Sequence, residues 1–186
     1  MSTIQAYFRE RRSDFTTCYA KHASEISNHP MRIISIDPEP RAAIDEICDT
    51  VIRNSIENVD DSIFSLLKAN DIVFLDGSHR SFMNSDVTIF FLEILPKLPV
   101  NVLIHIHDVT LPWDYPPMFA NWYWNEQYLL VLLLRYGSTQ FEVIAPTHFM
   151  CRDSNISDAM PVHFLDLGAF NDGWRGGGAM WLRKIK

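Results

Sequence analysis

The sequence predicts an α/β fold built on a mostly parallel sheet of six or seven strands, the last of which runs antiparallel. Two observations carry this. Short apolar runs rich in β-branched residues alternate with longer segments of helical period, the pattern of repeated βαβ units. The runs at 32–36, 71–75 and 100–106 are almost continuously apolar, as strands covered on both faces must be.

Taken in order, residues 4–9 read as an N-terminal strand and 16–27 as the helix that follows it. Strand 32–36 leads into a segment of helical period at 40–48, and 50–53 is a shorter strand. Helical segments at 59–69 and 80–95 precede the strands at 71–75 and 100–106, and 118–136 reads as one long helix. The runs at 141–145 and 179–183 are two further strands. A long polar connection without a crossover helix separates them, so they should pair antiparallel. Crossover helices on the earlier connections cover both faces of the sheet, which makes a Rossmann-like three-layer sandwich.

The 186 residues, 47% of them apolar, suffice for one core, and residues 1–186 are expected to form a single domain. A net charge of −7, with no Lys/Arg run longer than Arg11-Arg12, argues against nucleic acid as a partner. The first fifteen residues are too polar for a signal peptide. The longest apolar run, 128–134, falls far short of the roughly 20 residues that span a bilayer. Cys18, Cys48 and Cys151 are too few for a disulfide framework, so a reducing, cytoplasmic setting is expected.

In a parallel sheet ligands gather beyond the carboxyl ends of the strands. Asp37, directly after 32–36, is placed either to accept the hydroxyls of a ribose or to cap the next helix. Asp76-Gly77-Ser78-His79 closes 71–75. There Gly77 is read as permitting a sharp turn that leaves Asp76 exposed beside His79, the alternative being a simple turn carboxylate. In His105-Ile106-His107-Asp108 the two histidines point to one face of a strand. His105 reads as a packed core residue, whereas His107 and Asp108 suit a divalent metal or proton transfer. Trp122, Tyr123, Trp124 and Tyr128 are either an aromatic wall or helix packing, and the glycines at 176–178 either cradle an anion or, more simply, form a turn.

Seven pieces stand in one order between about 32 and 183: Ile34-Ser-Ile-Asp-Pro38; Asp71-Ile-Val-Phe-Leu-Asp-Gly-Ser-His79; Asp86; Val102-Leu-Ile-His-Ile-His-Asp108; Tyr115-Pro116; Trp124-Asn-Glu-Gln-Tyr-Leu129; and Gly177-Gly-Ala-Met-Trp-Leu-Arg183. In this order they resemble the class I S-adenosylmethionine (SAM) methyltransferases, within them the small-molecule O-methyltransferases related to macrocin O-methyltransferase. The resemblance implies a seven-stranded sheet with an antiparallel last strand, SAM as cofactor and a hydroxylated small molecule as acceptor. It implies SAM contacts from Glu10, Ser13, Asp37, Ser55, Asp76 and His79, with Asp37 on the ribose and the turn at 54–56 near the adenine. Asp76, His107 and Asp108 would hold a divalent metal, with Asp76 and His107 catalytic.

Two departures matter. His107 stands where an oxygen ligand is usual, which shifts the metal from Mg²⁺ towards Mn²⁺, Fe²⁺ or Zn²⁺, or leaves His107 as a metal-free general base. Arg12 and Asp14 stand where the family's cofactor loop has glycines, and the helices that precede this loop in most relatives are not expected here. Three functions follow: SAM-dependent methyl transfer, an inactive methyltransferase fold serving as a binding or oligomerisation module, and a metal-dependent hydrolase using His105, His107 and Asp108. Against the last, Val109 and Thr110 interrupt the usual hydrolase pattern. So short a domain with a wide apolar C-terminal helix can also pair with a copy of itself.

Overall fold

In the computed structural model, β1 (Ser2–Tyr7), β2 (Arg32–Ile36), β3 (Thr50–Ile52), β4 (Ile72–Asp76), β5 (Leu103–His107), β6 (Phe141–Pro146) and β7 (Ala179–Lys184) form one sheet. Their order is β3-β2-β1-β4-β5-β7-β6. The structure describes residues 2–7, 13–27, 30–39, 44–137, 139–157 and 178–186, with the backbone alone at 2–7 and 13–15. Pairings from β3 to β5 are parallel, and β7 runs antiparallel between β5 and β6.

Alternation along the strands sorts the side chains by face. Ile34, Ile36, Val73, Leu75, Ile104, Ile106, Met180 and Leu182 share one face and belong to the main core. Phe90, Phe91, Ile94, Leu95 and Leu130 pack against them from the connections. The opposite face carries Ile33, Ser35, Phe74 and His105, all buried. Both faces of the central strands are therefore shielded, which explains their unbroken apolar runs.

The strands follow the sequence pattern closely, but the helices do not. α1 (Ser13–Ile26) begins earlier than the periodicity suggests, so the stretch aligned with the cofactor loop is helical from Ser13 onward. Of residues 40–48, positions 40–43 lie outside the described residues, and only Asp45–Ile47 forms a 3-10 turn. The segment 59–69 reduces to a 3-10 stretch, Asp61–Leu66, confined between the Asp60 side chain, which accepts from Ser62 N, and a left-handed turn at Asn70. Residues 8 and 9, expected in the first strand, and the glycines at 176 and 177 also lie outside the described residues.

The expected helix 80–95 starts only at Asp86. α2 (Asp86–Ile89) is opened by a capping box in which Ser85 Oγ accepts from Thr88 N. It continues as a π turn, Phe90–Ile94, and a 3-10 turn, Leu95–Lys97. Residues 80–84 cannot join it because their polar groups reach sideways. Arg80 Nε donates to Trp122 O, and Ser81 N donates to Asn125 Oδ1. The expected helix 118–136 is split likewise. A 3-10 segment, Pro117–Trp122, gives way to Tyr123 in the left-handed region (φ 58°), and α3 (Glu126–Tyr136) follows. The break lets Trp124 turn inward, where its ring lies 4.5 Å from Phe119 and 4.9 Å from Trp122.

No helix among the described residues is long and apolar enough to cross a membrane.

Candidate functional site

The register Leu75↔Ile106 between β4 and β5 sets Asp76 and His107 side by side at the carboxyl ends of two central strands. Asp108 follows in the left-handed region (φ 52°), so its side chain leaves the strand direction and returns towards its neighbours. Asp76 Oδ1 lies 3.7 Å from His107 Nδ1, which lies 3.2 Å from Asp108 Oδ1. One donor atom from each of the three falls within 4.8 Å of the others. Asp76 is buried at 3% exposure, which corrects the expectation of an exposed carboxylate.

Gly77 also acts differently from the sequence reading. Its backbone is not in the left-handed region. Instead, a Cβ at this position would meet Asp86 Oδ2 at 2.8 Å. The bare backbone lets the buried Asp86 carboxylate accept from Ser78 N and Ser78 Oγ, both at 2.6 Å. The left-handed residue of the loop is His79 (φ 58°), and this strained backbone aims the imidazole inwards.

His79 is fully buried. Its Nε2 stands 3.7 Å from both Asp76 Oδ1 and Asp108 Oδ2, and its Nδ1 lies 2.8 Å from Glu126 Oε2. Its carbonyl accepts from Asn125 N and Glu126 N, which ties the loop to the start of α3. The Trp124 ring packs 4.2 Å from the imidazole. Thr110 N and Oγ1 both donate to Gln127 Oε1, fastening the end of β5 to the same helix.

The electrostatics separate the two histidines of β5. Burial pushes His105 down to about 3, so its ring is neutral; it stacks on Phe74 with centroids 4.2 Å apart. Burial also opposes charge on His107, but the Asp108 and Asp76 carboxylates outweigh it and hold the ring above its ordinary value. Burial pushes the Glu126 carboxyl up, against the pull of the His79 N–H. Tyr115 is raised by burial and then by the neighbouring Glu126.

Asp37 and the turn at 54–56 lie across β1 from this cluster, at the ends of β2 and β3. Asp37 is buried, and its Oδ1 accepts from Glu39 N in an Asx turn; the described 3-10 turn that follows is preceded by Ile44, so Asp37 does not cap it. Ser55 Oγ accepts from Asn58 Nδ2. Beyond β3 lies a cleft of about 540 Å³ lined by Ile52, Asn54, Asn58, Val59 and others. Of the remaining expected site residues, Glu10 lies outside the described residues, and Ser13 is described only as the first residue of α1.

Sequence reasoning missed Glu126, whereas Trp124 takes the packing role that was one of its two readings, against Phe119 and Trp122. Glu126 touches the site across 47 residues of chain through His79, a pairing no local pattern encodes. The one available signal was the Trp124-Asn-Glu-Gln stretch, whose polar residues at a helix start served a tertiary contact.

A parallel sheet in this strand order, with titratable side chains gathered where β4 and β5 end, defines a Rossmann-like α/β protein, the class in which ligands gather at the carboxyl edge of the sheet. A family model described as a methyltransferase domain matches residues 14–109, just over half of the chain and inclusive of Asp37, Asp76, His79, His107 and Asp108. The chain belongs to this methyltransferase-domain family, which implies SAM as methyl donor. No curated protein and no solved structure matches it.

Proposed function

We propose that the protein transfers a methyl group from SAM to a hydroxyl of a small molecule, as the macrocin-type O-methyltransferases do, with Asp76, His107 and Asp108 forming a divalent-cation site. The observation that carries this reading is the convergence of these three side chains at the ends of two adjacent strands within the family match. The residues fit a cation. Two carboxylates and one imidazole converge, one donor atom from each lying within 4.8 Å of the others. One imidazole among the oxygens favours Mn²⁺, Fe²⁺ or Zn²⁺ over Mg²⁺.

When bound, such a cation supplies a Lewis acid that lowers the pKa of the acceptor hydroxyl. The chain's own residues do the positioning. Asp37 accepts the ribose hydroxyls at the end of β2, and the cleft beside Asn54 receives the adenine, with Ser55 at its turn. Through the cation, Asp76 and His107 would orient the acceptor oxygen for in-line attack on the methyl carbon, the hydroxyl proton passing to water. Calorimetric titration with SAM and with its demethylated product tests the reading. Micromolar affinity is expected, and no binding at millimolar cofactor would overturn it.

A second reading, an inactive methyltransferase fold, is favoured by one observation. β1 ends at Tyr7 and α1 begins at Ser13, so the connection between them is Phe-Arg-Glu-Arg-Arg, without a glycine. A protein that binds no SAM until Arg12 and Asp14 are both replaced by glycine would establish this second reading.

A further inference from the structure

We propose that His79 is a fourth donor of the cation site, and that Glu126 is the residue that holds its ring in the donating tautomer. The inference rests on the cation-site reading above. It adds two residues, one of them from an element on which that reading did not draw.

The argument starts from the Glu126 carboxylate, whose side chain is 1% exposed. A carboxylate so deeply buried needs a hydrogen-bond donor, and His79 Nδ1 at 2.8 Å is the one the geometry supplies. A proton held on Nδ1 leaves the lone pair on Nε2. This is the arrangement by which carboxylates orient metal-bound histidines in many proteins. The ring cannot easily turn away. Trp124 packs against it, its backbone is held left-handed, and its carbonyl is secured by two N–H groups of the α3 start.

That Nε2 faces two carboxylate oxygens, Asp76 Oδ1 and Asp108 Oδ2, each 3.7 Å away. The distance is too long for a hydrogen bond. It is close to the roughly 3.4 Å that separates donors about 2.1 Å from a shared tetrahedral metal. His107 Nδ1 also stands 3.7 Å from Asp76 Oδ1 and 3.2 Å from Asp108 Oδ1. His79 and His107 thus each bring one ring nitrogen near the Asp76 and Asp108 carboxylates. Two imidazoles with two carboxylates suit a borderline ion such as Co²⁺ or Zn²⁺ better than a hard one.

The test uses Co²⁺ as probe on the full chain. High-spin Co²⁺ shifts the ring N–H of each bound histidine far outside the diamagnetic proton spectrum. Two such exchangeable signals are expected in the wild type, one lost in His107→Gln and the other in His79→Gln. Calorimetry should show Co²⁺ binding weakened about 10- to 100-fold by His79→Gln and about tenfold by Glu126→Gln. The wild-type signal count does not depend on any variant folding. Co²⁺ bound with a single shifted N–H, assigned to His107, would overturn the role of His79 and leave the three-residue site standing. No Co²⁺ binding by the wild type would overturn both.

Discussion

His105 and His107 lie two residues apart on the same face of the same strand, yet they belong to different regions with opposite chemistry. His105 sits in the body of the sheet, stacked on Phe74 and packed 4.6 Å from Trp181, and burial keeps it neutral. His107 sits at the tip, between two carboxylates that draw a proton or a cation towards it. The body of the sheet stabilises the fold by removing apolar surface from water, whereas the tip gathers titratable groups.

Four substitutions sharpen or break that comparison. The largest effect belongs to the body: Phe90→Ala removes a fully buried ring and should cost about 3–5 kcal/mol in chemical denaturation, with cofactor and cation affinity unchanged once folded. Next is a pH effect. His105 has an ordinary value of 6.5 and a folded value of about 3, so below 6.5 the unfolded chain takes up a proton that the folded chain refuses. Stability should therefore fall as pH drops from 6.5 towards 3, by up to about 1.4 kcal/mol per unit from this residue. His105→Phe should flatten that slope in denaturation curves taken at stepped pH. An unchanged slope would place the charge elsewhere.

Gly77→Ala joins the two regions. The new Cβ displaces the Asp86 carboxylate from Ser78, so a loss of about 1–3 kcal/mol should accompany weaker cation binding, as His79 is carried on the same loop. The smallest stability effect is expected at the tip. Asp76→Asn should change the unfolding free energy by less than about 1 kcal/mol while abolishing cation binding. A loss as large as that of Phe90→Ala would show that the tip is structural after all and would end the comparison.

Legibility in the sequence divides along the same line. The strands could be read because burial on both faces demands unbroken apolar runs, and Asp76, His107 and Asp108 could be singled out because polar residues follow those runs directly. The helices were read too long. Their apolar periodicity is real, but Arg80, Ser81 and Trp124 spend their polar groups or rings on contacts between the two loops, which interrupts the turns. Gly77 was noticed for the wrong reason, since a glycine required by a neighbour's carboxylate looks in sequence like one required by a turn.

By itself, then, the sequence determined the alternation of elements and the residue types at the strand ends, because those depend on local periodicity and on what a buried strand can carry. Only the tertiary structure decided which of these residues meet. The pairing of β4 with β5 sets Asp76 beside His107, and the docking of α3 brings Glu126 to His79 across 47 residues. Such contacts arise from packing whole elements against one another, and no property of a single segment encodes them.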